Sequence, residues 1–215
     1  MISMKHFITT ICLAKNMSTT LYHNSENVDF LGTDREYSHP ILIPIQNLAE
    51  KGEKIKVTVI LTSKTSPFVK QNYEHFVGEL NSLREEIGFD YGEINVIEAS
   101  YDESSAKHLR LFESIINSIG KDELLTADIT FGNKPTSMAL QLALTYSYLY
   151  GENTAVKALV YGEFNHDTQC ANIFDVSALF YINSVLGRLS SAHPSDPLAF
   201  IRPLLDDGED GGSDE

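Results

Sequence analysis

Five short strand-like runs, at 5–13, 54–63, 94–100, 124–130 and 155–164, the first two rich in β-branched residues, are separated by longer stretches, most with helical spacing of their apolar residues. That alternation constrains the fold more than any other feature of the chain. Parallel strands need a crossover of a dozen or more residues, usually a helix, and helices so placed cover a sheet on its two faces. The expectation is therefore an α/β protein: a Rossmann-like, doubly wound, mainly parallel sheet with helices on both faces, in a single domain over 1–205.

The helical stretches have readable ends. Pro67 opens a run in which Phe68, Phe76, Val77, Leu80, Leu83 and Ile87 keep helical spacing, and Gly88 stops it. Leu109, Phe112, Ile115, Ile116 and Ile119 predict one apolar face of a helix closed by Gly120. Pro135 starts a nearly all-apolar helix that runs to Tyr150. A helix over 40–51, ended by Gly52, is predicted despite Pro44, and an extended, hairpin-like excursion over 19–30. An amphipathic segment at 174–189 and a short one at 197–205 close the pattern.

Composition narrows the function classes. The chain has 215 residues, 42% of them apolar, enough to bury a core, and no apolar run reaches the roughly 18 residues that cross a bilayer. A soluble cytoplasmic protein is expected. Its two cysteines, Cys12 and Cys170, are too few for a disulfide framework. A net charge of -14 argues against a grip on long nucleic acid, which needs clustered Lys and Arg. Six acids fall among the last ten residues, between glycines and a serine, so 206–215 reads as a solvated, disordered tail or linker.

In sheets of this kind ligands bind beyond the carboxyl ends of the strands, which directs attention to two loops. The first, TTICLAKNMSTT at 9–20, offers hydroxyls, an amide and Lys15. In the second, DITFGNKPTSM at 128–138, Gly132 permits a close backbone approach, Asn133, Thr136 and Ser137 stand at a helix start, and Lys134 adds a positive charge. Those parts suit a phosphate. They equally suit an ordinary turn in which Asn133 only caps the helix.

No Gly-x-Gly-x-x-Gly, Walker or Gly-x-Ser-x-Gly pattern occurs, so dinucleotide, ATP-hydrolysing and serine-hydrolase readings lose ground. His166 and Cys170 lack further soft ligands nearby, and no metal site or cofactor is expected. Asp128, at a strand end, is read as support for the loop that follows it rather than as a general base. Tyr146, Tyr148 and Tyr150 are read as core or interface residues rather than base-stacking platforms.

KHFITTICLAKN followed by TTLYH, then ADITFGNKPTSMALQLALTY, VKALVYGEF and IFDVSALFYINSVLGRL, resemble in order the CRISPR-associated Rossmann-fold (CARF) proteins over about residues 4–190. The central segment is similar to that family's Asp-Ile/Val-Thr-x-Gly-x-Lys-Pro stretch. The first loop departs from it, with Cys12, Leu13 and Ala14 where relatives often have Gly-Thr or Gly-Ser. The resemblance implies a homodimer that binds cyclic oligoadenylate, the second messenger of type III CRISPR systems, across its two-fold axis. Thr10, Lys15 and Asn16 would contribute from the first loop, and Thr130, Gly132, Asn133, Lys134 and Ser137 from the second. Lys134 and backbone amides would meet phosphates, while hydroxyls and Asn133 would meet ribose or base edges. Rings of four and six adenylates both carry the symmetry, and four is the expectation.

The resemblance implies either a freestanding sensor or the regulatory half of a longer protein with an effector domain; the residues after Leu189 are too few to hold one. It also implies an alternative activity, a metal-independent ring nuclease in which the ribose 2'-hydroxyl attacks its adjacent phosphate. Lys134 would then stabilise the transition state and Thr10 or Ser137 position the ribose. A third reading is an α/β protein for some other small anion or a structural partner.

Overall fold

A computed structural model describes residues 2, 4–15, 17–62, 66–99, 104–165, 168, 170–192 and 194–205. Backbone contacts divide the chain into two units, Met1–Ser177 and Ala178–Glu215. The first holds a seven-stranded sheet: β1 (Met4–Thr10), β2 (Tyr22–His23), β3 (Lys56–Thr62), β4 (Asn95–Ala99), β5 (Glu123–Asp128), β6 (Ala155–Asn165) and β7 (Cys170–Asp175). Their spatial order is β2-β7-β6-β5-β1-β3-β4, and every pairing is parallel except β6 with β7. The architecture is the expected Rossmann-like α/β sheet.

Side-chain alternation sorts the helices onto the two faces. Phe7, Val57, Val59, Leu61, Ala158 and Val160 share one buried cluster with residues of α1 (Leu42–Leu48) and α2 (Pro67–Ile87). Ile8, Ile60, Ala127 and Leu159 alternate with them and are equally buried, on the face that carries α3 (Ser105–Ser118) and α4 (Lys134–Tyr150). From β1 the chain steps through β3 to β4 on one side, then returns past β1 to β5 and β6. The direction of winding thus reverses between β1 and β5, the place at whose carboxyl ends sheets of this kind take their ligands.

Several elements differ from their sequence reading. The first helix spans Leu42–Leu48 rather than 40–51, since Ala49 is already extended. Pro44 is tolerated as its third residue, where no intrahelical N–H partner is required. The excursion over 19–30 pairs with other segments instead of with itself: Thr20 bridges Tyr37, and Tyr22–His23 lies parallel to β7. Phe174 and Asp175, read as helical, belong to the antiparallel strand β7. In α3 the buried apolar residues are Leu111 and Ile115, whereas Leu109 is exposed.

The second unit contains α6 (Pro197–Leu205) and all but the first residue of α5 (Ser177–Ala192). The acidic segment 206–215 lies outside the described residues. Among the described residues no helix is long and apolar enough to cross a membrane.

Candidate functional site

The two loops singled out from sequence follow β1 and β5 at the switch point, and a buried carboxylate ties them to the sheet. Asp128, the last residue of β5, is wholly buried. It accepts a hydrogen bond from the Thr9 hydroxyl of β1 at 2.9 Å and from the Thr130 N–H at 2.8 Å. Burial holds its pKa above the ordinary carboxylate value, against the pull of the Thr130 and Thr9 hydrogen bonds and an Ile41 amide. The Thr130 hydroxyl also accepts from the Gly162 N–H of β6 at 2.7 Å. Asp128 therefore fixes where the second loop leaves the sheet.

Gly132 brings the loops together. Its φ of 97° lies in the left-handed region, and a Cβ there would meet Thr10 Cγ2 at 3.0 Å and Thr136 at 3.4 Å. Only glycine allows the second loop to lie this close to the end of β1. Asn133 then caps α4: its Oδ1 accepts from the Thr136 N–H at 2.9 Å and from the Thr136 hydroxyl at 2.6 Å.

That cap changes what the helix start can offer a ligand. Pro135 has no N–H, and the amides of Thr136 and Ser137 both return to Asn133. The positive end of α4 is left with the Lys134 side chain and the backbone amides of 132–134. The Ser137 hydroxyl points back to the Ile129 carbonyl at 3.4 Å, and the Thr130 hydroxyl is held by Gly162. Thr10 is buried against Gly132. Of the eight residues predicted from sequence, Lys15, Gly132 and Lys134 are exposed, Asn133 is half-buried, and Asn16 lies outside the described residues.

The first loop is braced by residues that sequence reasoning missed. Asn72 of α2, itself buried, donates to the carbonyls of Cys12 at 2.7 Å and Ala14 at 3.0 Å. The Cys12 N–H donates to His39 Nε2 at 3.3 Å, so His39 carries its proton on Nδ1, directed at the Ser38 hydroxyl 2.8 Å away. Ser38 passes its own proton toward the Glu79 carboxylate. The His39 ring also stands edge-on to Phe76 and to Phe131 of the second loop, with centroids 5.3 and 5.2 Å away. Burial presses its pKa down to about 3, so it is a neutral spacer that touches both loops. Lys15 lies over the Phe68 ring at 5.9 Å. Nothing local in sequence marks these braces, since Asn72 lies 60 residues from Cys12 and His39 lies 27.

Among the described residues no group of three or more His, Cys, Asp and Glu could hold a metal ion. His166, one half of the pair considered from sequence, lies outside the described residues. No protein-family model and no curated protein matches the chain. The fold and the loop contact define a Rossmann-like α/β protein whose loops after β1 and β5 converge at the switch point.

Proposed function

We propose that this chain is a cyclic oligoadenylate sensor of type III CRISPR signalling, acting in the cytoplasm as a homodimer on a ring of four adenylates. The observation that carries the reading is the contact of Gly132 with Thr10, which joins the two loops at the switch point beside an exposed Lys134. A charged amine, loop amides and a glycine backbone are what a phosphodiester requires. The sequence order of these loops resembles that of CARF proteins, which supplies the identity of the guest. The acidic net charge is compatible with a small polyanion, because the local field is set by the loop's own lysine and amides.

Holding the ring is better supported than cutting it. A ring nuclease of the kind considered from sequence would need Thr10 or Ser137 free to position a ribose, yet Thr10 is 1% exposed and Ser137 is turned back toward Ile129. His39 is buried and hydrogen-bonded on both ring nitrogens. Calorimetric titration with cyclic tetra- and hexa-adenylate, paired with chromatography for linear products, tests the reading. Lys134→Ala is expected to weaken binding by roughly tenfold or more, the value of a charge-assisted contact of about 1.5 to 3 kcal/mol. Failure of the parent protein to bind either ring, or equal affinity in the variant, would overturn the assignment. Rapid appearance of linear products would transfer it to the nuclease.

A further inference from the structure

A ring of adenylates carries bases as well as phosphates, and the loop residues expected to meet those bases are engaged elsewhere. Asn133 caps α4, the Thr130 hydroxyl is held by Gly162, and Ser137 is turned toward Ile129. The next strand outward from the second loop is β6. It pairs with Asp128, the end of β5, at Val160, and continues to Asn165 as a two-stranded ribbon with β7. The Ile129 N–H donates to the Val160 carbonyl at 3.0 Å and the Gly162 N–H to the Thr130 hydroxyl at 2.7 Å, so the ribbon is tied to the foot of the second loop.

Alternation gives the ribbon two unlike faces. Ala158, Val160, Ala171 and Ile173 belong to the core cluster with α1, and a Cβ at Gly162 would meet Pro40 and Tyr22 on that side. The opposite face carries Tyr161 across from Phe174 and, two residues further out, Glu163 across from Asn172. Leu159, on this face but within the sheet, is 1% exposed, whereas Tyr161 is 38% exposed. Glu163 is also exposed, and Phe174 and Asn172 are half-buried. The cover of the sheet thus stops short of Tyr161. The same face carries Thr10 and the Gly132 turn, and β6 stands two strands from β1, roughly 10 Å, the reach of one nucleotide from phosphate to base.

Two aromatic rings with an amide beside them supply what a purine needs, a surface to stack on and a group to read its edge. Stacking uses the π-face that every base has, and an Asn amide reads adenine by accepting from N6 and donating to N7. Diagonal neighbours on a ladder lie about 7–8 Å apart, so a base over Tyr161 reaches Asn172. Glu163 adds direction: a carboxylate only accepts, so it favours the N6 amine of adenine and opposes both guanine O6 and phosphate. Phosphates are then left to Lys134. We propose that this face of the β6–β7 ribbon is the base-reading part of the site, with an adenine stacked on Tyr161, its N6 and N7 edge on Asn172, and guanine excluded by Glu163. The proposal rests on the ligand reading given above and assigns to it the residues that choose the base.

Calorimetry with cyclic tetra-adenylate tests the platform. Tyr161→Ala is expected to weaken binding by about tenfold or more, and Tyr161→Phe, which keeps the ring, to restore it. Asn172→Ala is expected to narrow the preference for cyclic tetra-adenylate over the corresponding guanylate ring by about tenfold, with little change in melting temperature. The chain has no tryptophan, so Tyr161→Trp introduces a single indole emitter whose fluorescence the adenylate ring should quench. That readout stands even where the alanine variant fails to fold. A folded Tyr161→Ala protein that binds as tightly as the parent, or indole emission indifferent to bound ring, would overturn the platform and leave the ligand reading in place. A parent without preference for adenylate, or the same preference in Asn172→Ala, would overturn the edge contact. A parent that binds rings of neither four nor six adenylates removes the ligand reading and this site with it.

Discussion

The two ends of the sheet each bury a carboxylate and surround it with opposite chemistry. At the amino ends of the strands, Glu123 accepts from His6 Nδ1 at 2.7 Å and from Lys56 Nζ at 2.8 Å, and Lys56 also donates to the Ser118 carbonyl. His6 Nε2 accepts from the Thr58 hydroxyl at 2.7 Å. Burial alone would raise the Glu123 pKa, but His6, Lys56 and the Gly120 amide outweigh it and hold the group down to about 2. At the carboxyl ends Asp128 has hydroxyls and amides but no cation among its hydrogen-bond partners, and its pKa is raised. One end locks three strands with paired charge. The other holds a loop in place with hydroxyl and amide hydrogen bonds.

The largest effect expected from this contrast is at the first end. Glu123→Gln places an amide N–H₂ against either His6 or Lys56, and should lower stability by about 3 kcal/mol at neutral pH, at the low end for a broken buried pair because Lys56 is partly exposed. Its folded pKa is depressed, so the contribution is present above the ordinary value of 4.5 and is lost as pH falls toward about 2. Denaturant melts of parent and variant should therefore converge in acid while ring affinity stays the same. Curves that remain parallel down to pH 2 would refute the ion-pair account.

Gly132→Ala should act the other way round. The left-handed backbone and the tight approach to Thr10 together cost about 1 to 2 kcal/mol of stability, but the displaced loop should lower ring affinity more than the melting curve suggests. An alanine variant that binds as well as the parent would show that the close approach has no part in the site.

The smallest effect belongs to Asp128→Asn, about 1 kcal/mol or less, because the amide oxygen can still accept from Thr130 while its nitrogen donates to Thr9. Here the sign with pH reverses. The folded pKa is raised, so the favourable contribution of Asp128 is complete below its ordinary value of 3.8 and is lost as pH rises through the folded value. The asparagine variant escapes that loss and should gain on the parent between acid and neutral pH. Opposite pH slopes for Glu123→Gln and Asp128→Asn would confirm that the two ends are built differently; equal slopes would not.

Five of the seven strands and the helical crossovers between them were legible in sequence, because hydrophobic period and glycine stops are local properties of a chain. β7 escaped because Phe174 and Asp175 lead into the apolar run of α5, and a short strand cannot be told from the start of a helix by periodicity. The same limit hid which side of α4 is covered. Its residues are apolar almost all round, and only packing against the sheet decides that Ala139, Leu140, Ala143 and Leu144 face inward while Met138, Leu142 and Tyr150 face out.

The sequence by itself thus determined the α/β class, the two loops and the glycine between a strand and a helix, for these follow from composition and spacing within about twenty residues. Tertiary structure alone decided that Thr10 lies against Gly132 and that Asn72 and His39 brace the first loop. Such contacts join residues tens to more than a hundred positions apart. Their geometry exists only once strand order has placed β1 beside β5, and no local pattern encodes that adjacency.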